Sequence, residues 1–140
     1  MTTPFAGDAR IVPVLSLAGG AAAIAFYARA FGARERMRVT SPDGDTVAEL
    51  AVGEAVFQVS DESPEHANPA PTRLGGTPVR LALVVDDPDA LFERAVAAGA
   101  RVVYAVADQP YGWRLGRLED PFGHHWEIGR PLGAGHGPRG

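Results

Sequence analysis

The sequence predicts an α+β chain built from two tandem βαβββ modules, whose sheets form a cupped, barrel-like pocket. An internal repeat at an offset of 67 residues predicts the two modules. Within each copy, helical spacing of apolar residues gives way to strand-like segments separated by turns, which predicts the βαβββ order. A Pro/Gly-rich stretch then divides the copies.

Residues 13–34 align with 80–101 without a gap, pairing Ala23/Ala90, Ala28/Ala95, Ala30/Ala97, Gly32/Gly99, Ala33/Ala100 and Arg34/Arg101. Each copy opens with a short apolar strand and continues as an amphipathic helix that stops at Gly-Ala. In the first helix Ile24, Tyr27 and Phe31 mark the buried face, and Gly32 is the stop. In the second, Asp87 can cap the helix, Pro88 fits a first turn that needs no N–H, and Gly99 can take the left-handed conformation that ends it. Leu91, Phe92 and Ala95 share its inner face. Strands are then predicted over 34–40 and 46–52, around the turn Ser41-Pro42-Asp43-Gly44-Asp45, and over 55–60 after Gly53-Glu54. The second copy repeats this with strands over 102–106 and 113–118, the turn Asp120-Pro121-Phe122-Gly123, and a closing strand over 124–129.

The chain thus divides into an arm (1–9), a first module (10–60), a linker read as surface loop with four prolines and two glycines (61–78), a second module (79–130) and a Gly-rich tail read as mobile (131–140). A four-stranded sheet with a helix on one face still has a second face to cover. The tandem copy supplies that cover, within one chain or by exchange between two, and the concavity between sheets is a natural small-molecule pocket.

Composition narrows the function classes. The chain of 140 residues has no cysteine, which excludes a disulfide framework, a thiolate metal site and a cysteine nucleophile. Its net charge of −4 and lack of a basic run speak against a nucleic-acid partner. Residues 11–28 carry no charge, but Pro13 and Gly19-Gly20 interrupt them and the same pattern returns later with charges in it. Neither a signal peptide nor a membrane span is therefore expected, and the expected location is the cytoplasm. The absence of lysine removes a Walker-type phosphate loop, and Ser16 and Ser60 lack a base signature.

The paired βαβββ pattern, with the hairpin Arg117-Leu118-Glu119-Asp120-Pro121-Phe122-Gly123-His124-His125-Trp126-Glu127-Ile128, resembles the vicinal oxygen chelate superfamily of glyoxalases, bleomycin-resistance proteins and extradiol dioxygenases. The resemblance runs over about residues 10–130. Its Asp-Pro-Phe-Gly-His phrase is most similar to a bacterial branch described as phosphonate-operon-like or glyoxalase-like. The resemblance implies one divalent metal, held by a His or Glu on a module's first strand and a Glu or Gln on its last. Glu127 and Gln58 stand at the last-strand positions. The first-strand positions fall near Val12 or Pro13 and at Arg80, between Val79 and Leu81. A guanidinium ~4 Å from a dication costs several kcal/mol even at an effective dielectric of roughly 20. No metal or other cofactor is therefore expected; a divalent ion, if bound, would take Gln58 and Glu127.

Several residues have two readings. Glu127 is a general base, ligand or anchor, or a strand carboxylate paired with an arginine such as Arg114 or Arg80. Arg80 is a pocket cation or a strand-end surface residue. Arg114 and Arg117 lie three apart, so at most one of them faces the pocket. His124 and His125 are adjacent, point opposite ways and cannot chelate one metal together; His125 shares a face with Glu127, as an acid or base or as a packed ring. His66 and His136 are read as solvated. Tyr111 and Trp113 share a face and, with Trp126, offer a stacking surface, sheet packing or a dimer contact. The candidate site is accordingly Glu127 and His125 as catalytic groups, with Gln58, Arg80, Tyr111, Trp113 and Arg114 binding ligand. Three functions compete. One is metal-independent binding of a small organic molecule, and another is an isomerase, lyase or dioxygenase using a metal or Glu127 as base. The third is a structural module with a vestigial pocket. Binding is preferred, in a homodimer.

Overall fold

The computed structural model describes residues 7–133; most of the arm and tail, His136 included, lie outside the described residues. The two repeats fold alike. β1 (Val14–Leu17) turns through Gly19, at φ 94°, into α1 (Gly20–Phe31), followed by β2 (Arg34–Thr40), β3 (Thr46–Val52) and β4 (Ala55–Asp61). After the linker come β5 (Arg80–Val84), α3 (Pro88–Ala98), β6 (Arg101–Asp108), β7 (Trp113–Glu119) and β8 (His125–Pro131). Each module is a four-stranded sheet, ordered β1-β4-β3-β2 and β5-β8-β7-β6. The first strand of each runs parallel to the last, because the helix carries the chain back across the sheet. Asp87 caps α3 as its sequence suggests, accepting the Ala90 N–H at 3.1 Å, with Pro88 in the first turn.

The linker is more ordered than a loop. It contains a 3-10 turn at Pro64–His66 and the short helix α2 (Pro71–Leu74), which starts at a proline and ends at Gly75, φ 81°. Glu62 ties it down, accepting the Ala70 N–H at 2.9 Å and two Arg73 bonds at 2.8 and 2.9 Å. The Arg73 guanidinium, and then the Ala70 amide, hold the Glu62 carboxyl down at about 2. This tie is complete above the ordinary carboxylate range and is lost as pH falls through about 2.

The two sheets do not close into a barrel, and this corrects the cupped, barrel-like expectation. They remain separate and open, with no strand of one paired to a strand of the other. The reason lies in what the inner faces cover. The modules join through their helix-bearing sides: α1 packs on α3, and Tyr27, Phe31 and Phe57 of the first module pack on Trp126 of the second, at ring-centroid distances of 4.9–5.7 Å. One core therefore serves both sheets, and each opposite face turns away from it. Polar bonds clasp the same junction. Tyr27 Oη donates to Asp120 Oδ2 at 2.5 Å, Arg94 donates to the carbonyls of Arg29 and Ala28 at the end of α1, and His124 Nε2 meets the Ser16 carbonyl at 2.9 Å.

Asp61 secures the start of α1. Its carboxylate accepts the N–H groups of Gly19, Gly20 and Thr46 at 3.1, 2.7 and 2.7 Å. A Cβ at Gly20 would lie 3.1 Å from Asp61 Oδ2 and 3.2 Å from Thr46 Cβ, so the glycine makes room for this cap. Asp61→Ala is expected to cost roughly 2–3 kcal/mol, since the donors at a helix start lose their acceptor. The check is a lower urea midpoint with an unchanged m-value. No helix among the described residues is long and apolar enough to cross a membrane.

Candidate functional site

The outer face of the second sheet is set by strand alternation. Trp113, Leu115, Arg117 and Glu119 project from β7, His125, Glu127 and Gly129 from β8, and Arg80, Ala82 and Val84 from β5. The intervening residues Leu83, Leu118, Trp126 and Ile128 point into the core. On this outer face lies an open depression of about 380 Å³, lined by Arg80, Tyr111, Trp113 and Glu127 around an apolar floor that includes Ala82, Leu115 and Gly129. Gly129 permits the floor: a Cβ there would sit 2.5 Å from Leu115 Cβ and 2.6 Å from the Arg114 carbonyl oxygen.

Glu127 is the electrostatic centre. Its Oε2 accepts from Arg80 Nε at 2.7 Å and from Arg117 Nη2 at 3.1 Å, while its Oε1 receives no bond from the described residues. Arg117 is held from the other side by Tyr104, whose ring centre lies 5.7 Å from its Cζ. Burial, and then the charge of Glu127, push the Tyr104 hydroxyl above its ordinary pKa, so it stays neutral. His125 stands beside this group but does not line the depression; its Nδ1 is buried without a partner and its Nε2 is 3.9 Å from Glu119.

The structure thus brings together Arg80, Glu127, Tyr111 and Trp113 of the predicted set, with His125 adjacent. It separates two others. Arg114 projects from the opposite face of β7, where it forms two bonds to Asp89 at 2.8 and 2.6 Å and one to Asp108 at 3.0 Å. The Asp89 carboxylate, and then Asp108, raise its pKa above the usual guanidinium value. Arg114 is therefore a clamp between α3 and β6, and Arg117 is the β7 arginine that reaches Glu127, without lining the depression. Gln58 lies on the outer face of the first sheet, opposite Glu49 on β3 and Val14 on β1, and does not line the depression in front of Glu127. Tyr104 and Arg117 were missing from the predicted set. Alternation from Trp113 pointed to Arg117, four residues on along the same strand.

Glu127 Oε2 is already engaged by two guanidiniums, beside which a dication would have to sit, so the donors present do not fit a divalent ion. Among the described residues no group of three or more His, Asp or Glu side chains has the geometry of a metal site.

Comparison with known proteins agrees with this architecture. Residues 16–128 match the family model described as the Glyoxalase/Bleomycin resistance protein/Dioxygenase superfamily. An uncharacterized protein of Mycobacterium bovis is 45% identical over 124 residues, covering 86% of this chain and 82% of that one. Among solved structures, TioX from Micromonospora sp. ML1 superposes with a TM-score of 0.67 at 29% identity, over 90% of this chain and 98% of that chain. A Pseudomonas aeruginosa protein superposes with a TM-score of 0.68 at 25% identity, over 89% and 98% of the two chains.

Proposed function

The chain belongs to the glyoxalase/bleomycin resistance/dioxygenase superfamily, and from that premise we propose that it binds a small, planar organic molecule on the outer face of its second sheet, without the divalent metal that the superfamily resemblance implies. One observation carries this reading. Glu127, the carboxylate that resemblance would give to a metal, is held by Arg80 and Arg117. A dication would have to displace both guanidiniums and then sit beside them. Tyr111 and Trp113 supply the stacking surface.

The binding unit in this reading is a homodimer in the cytoplasm. Val14, Met37, Val39 and Val47 are exposed on the first sheet, Val84 and Tyr104 on the second, and Tyr111 at the β6–β7 turn. Exposed apolar side chains on both sheet faces suit mutual cover by a second copy, which brings the Gln58 face of one protomer over the Glu127 face of its partner. Sedimentation equilibrium is expected to give a dimer, and Val39→Asp to shift it toward monomer.

Two titrations test the pocket. Mn(II), Ni(II) and Zn(II) are expected to give no binding at micromolar concentration; one equivalent bound, and lost on Glu127→Ala, overturns the metal-free reading. The neutral probe 2-naphthamide is expected to bind, and Trp113→Ala to weaken it about threefold to tenfold, the range for one aromatic contact. A second reading rests on the unbonded Glu127 Oε1, which is free to accept a proton from a carbon next to a carbonyl. Deuterium exchange into a bound ketone, abolished by Glu127→Gln, would favour that enzyme over a plain binder.

A further inference from the structure

The ligand of this pocket can be assigned a charge, on the strength of the binding reading above. Glu127 carries one negative charge against two guanidiniums, which leaves one positive charge over. The two arginines are not equivalent. The Arg117 side chain is 26% exposed, uses one of its donors on Glu127, lies over Tyr104 and has a buried, unpartnered Nε. Arg80 is 57% exposed, gives only its Nε to Glu127 and lines the depression. The other carboxylate on this face of the sheet, Glu119, is committed to Arg101. Arg117 therefore neutralises Glu127 from behind, and the surplus charge is displayed by Arg80 at the pocket wall.

We propose that the depression is a receptor for one oxyanion on a planar small molecule, and that Arg117, a positioning residue outside the lining, makes it so by holding Glu127. The two Nη groups of Arg80 make no hydrogen bond to the described residues and can take a carboxylate or phosphonate. The unbonded Oε1 of Glu127 lies beside them as an acceptor for a neighbouring O–H or N–H of the same ligand. The apolar floor and the two aromatic side chains take the planar part.

The test is calorimetry on the full chain with 2-naphthoate, 2-naphthylphosphonate and 2-naphthamide. An oxyanion is expected to bind roughly tenfold or more tightly than the amide, the scale of a charge-assisted hydrogen bond. Whichever of carboxylate and phosphonate is preferred assigns the ligand class. Arg117→Met commits Arg80 to Glu127 and is expected to abolish the preference while leaving amide binding in place. Glu127→Gln is expected to enlarge the preference, and the double variant Arg117→Met/Glu127→Gln to restore it, because the surplus charge returns to one. A purely structural role for Arg117 gives no such rescue. Equal binding of amide and anions by the unmodified protein overturns the receptor and leaves the pocket standing. Failure of all three probes overturns both. A double variant without preference overturns the role given to Arg117. Should Arg117→Met not fold, Glu127→Gln still decides, since an unchanged preference there overturns the charge argument.

Discussion

Asp120→Ala is expected to destabilise the protein by roughly 3–5 kcal/mol, the scale of breaking a buried polar network. Asp120 is 3% exposed and accepts four hydrogen bonds. Its Oδ1 takes the N–H groups of Phe122 and His124 at 2.9 and 3.0 Å, which closes the β7–β8 turn. Its Oδ2 takes the Trp126 indole N–H at 2.9 Å and the Tyr27 hydroxyl from the other module. Burial, and then the Asp120 charge, push the Tyr27 hydroxyl well above its ordinary pKa, so it remains a donor. Alanine leaves these donors without an acceptor, and two of them, the Tyr27 hydroxyl and the Trp126 indole, are buried. The loss corresponds to a fall in Tm of roughly 10–15 °C for a domain of this size. Asp120→Asn keeps the shape but only one accepting oxygen, so about half that loss is expected. Tyr27→Phe removes a single bond and should cost about 1–2 kcal/mol. Urea denaturation of the three variants, in the order Ala, Asn, Phe, checks the assignment; Asp120→Ala within about 1 kcal/mol of the parent would remove Asp120 as the tie between modules.

Trp126→Ala is expected to cost about 3–5 kcal/mol, the range for truncating a large buried aromatic. The indole touches Tyr27, Phe31 and Phe57, all from the first module, at 5.7, 4.9 and 5.3 Å between ring centres. Its removal opens the junction between the two modules at its most apolar point. Because Trp126 also donates to Asp120, the two substitutions share a partner. The Asp120→Ala/Trp126→Ala double variant is therefore expected to fall short of the sum by about 0.5–3 kcal/mol. Additive losses would mean that the hydrogen bond and the aromatic packing stabilise separate regions.

These two residues also mark where sequence reading stops. Asp120-Pro121-Phe122-Gly123 is legible as a turn, and its bonds to Phe122 and His124 are what turn chemistry predicts. That the other oxygen reaches across to Tyr27 is not legible, because an exposed turn aspartate would have the same sequence. The element order was legible from punctuation, and β2 and β3 begin and end where the turns place them. Barrel closure was not, since alternation says which residues share a face but not which way that face turns. The same limit governs the site. Arg80, Glu127, Tyr111 and Trp113 share a depression because their strands are neighbours within one module. Gln58 belongs to the other module, and its position relative to Glu127 depends on how the modules dock. Arg117 was within reach of strand parity, and Arg114 was excluded by it.

The clasp between the modules has a consequence for their ancestry. Tyr27 and Arg94 occupy the same place in the repeat, one offset of 67 apart, and each reaches into the other half. They do so differently, one to a carboxylate and the other to main-chain carbonyls. Asp120, the acceptor for Tyr27, corresponds in the first half to Gly53, which has no side chain. Two copies of the first half docked in this manner would leave the tyrosine hydroxyls unanswered. Two copies of the second would have aspartates with no tyrosine to receive. The halves have diverged into donor and acceptor, so pairing either half with itself would forgo this bond.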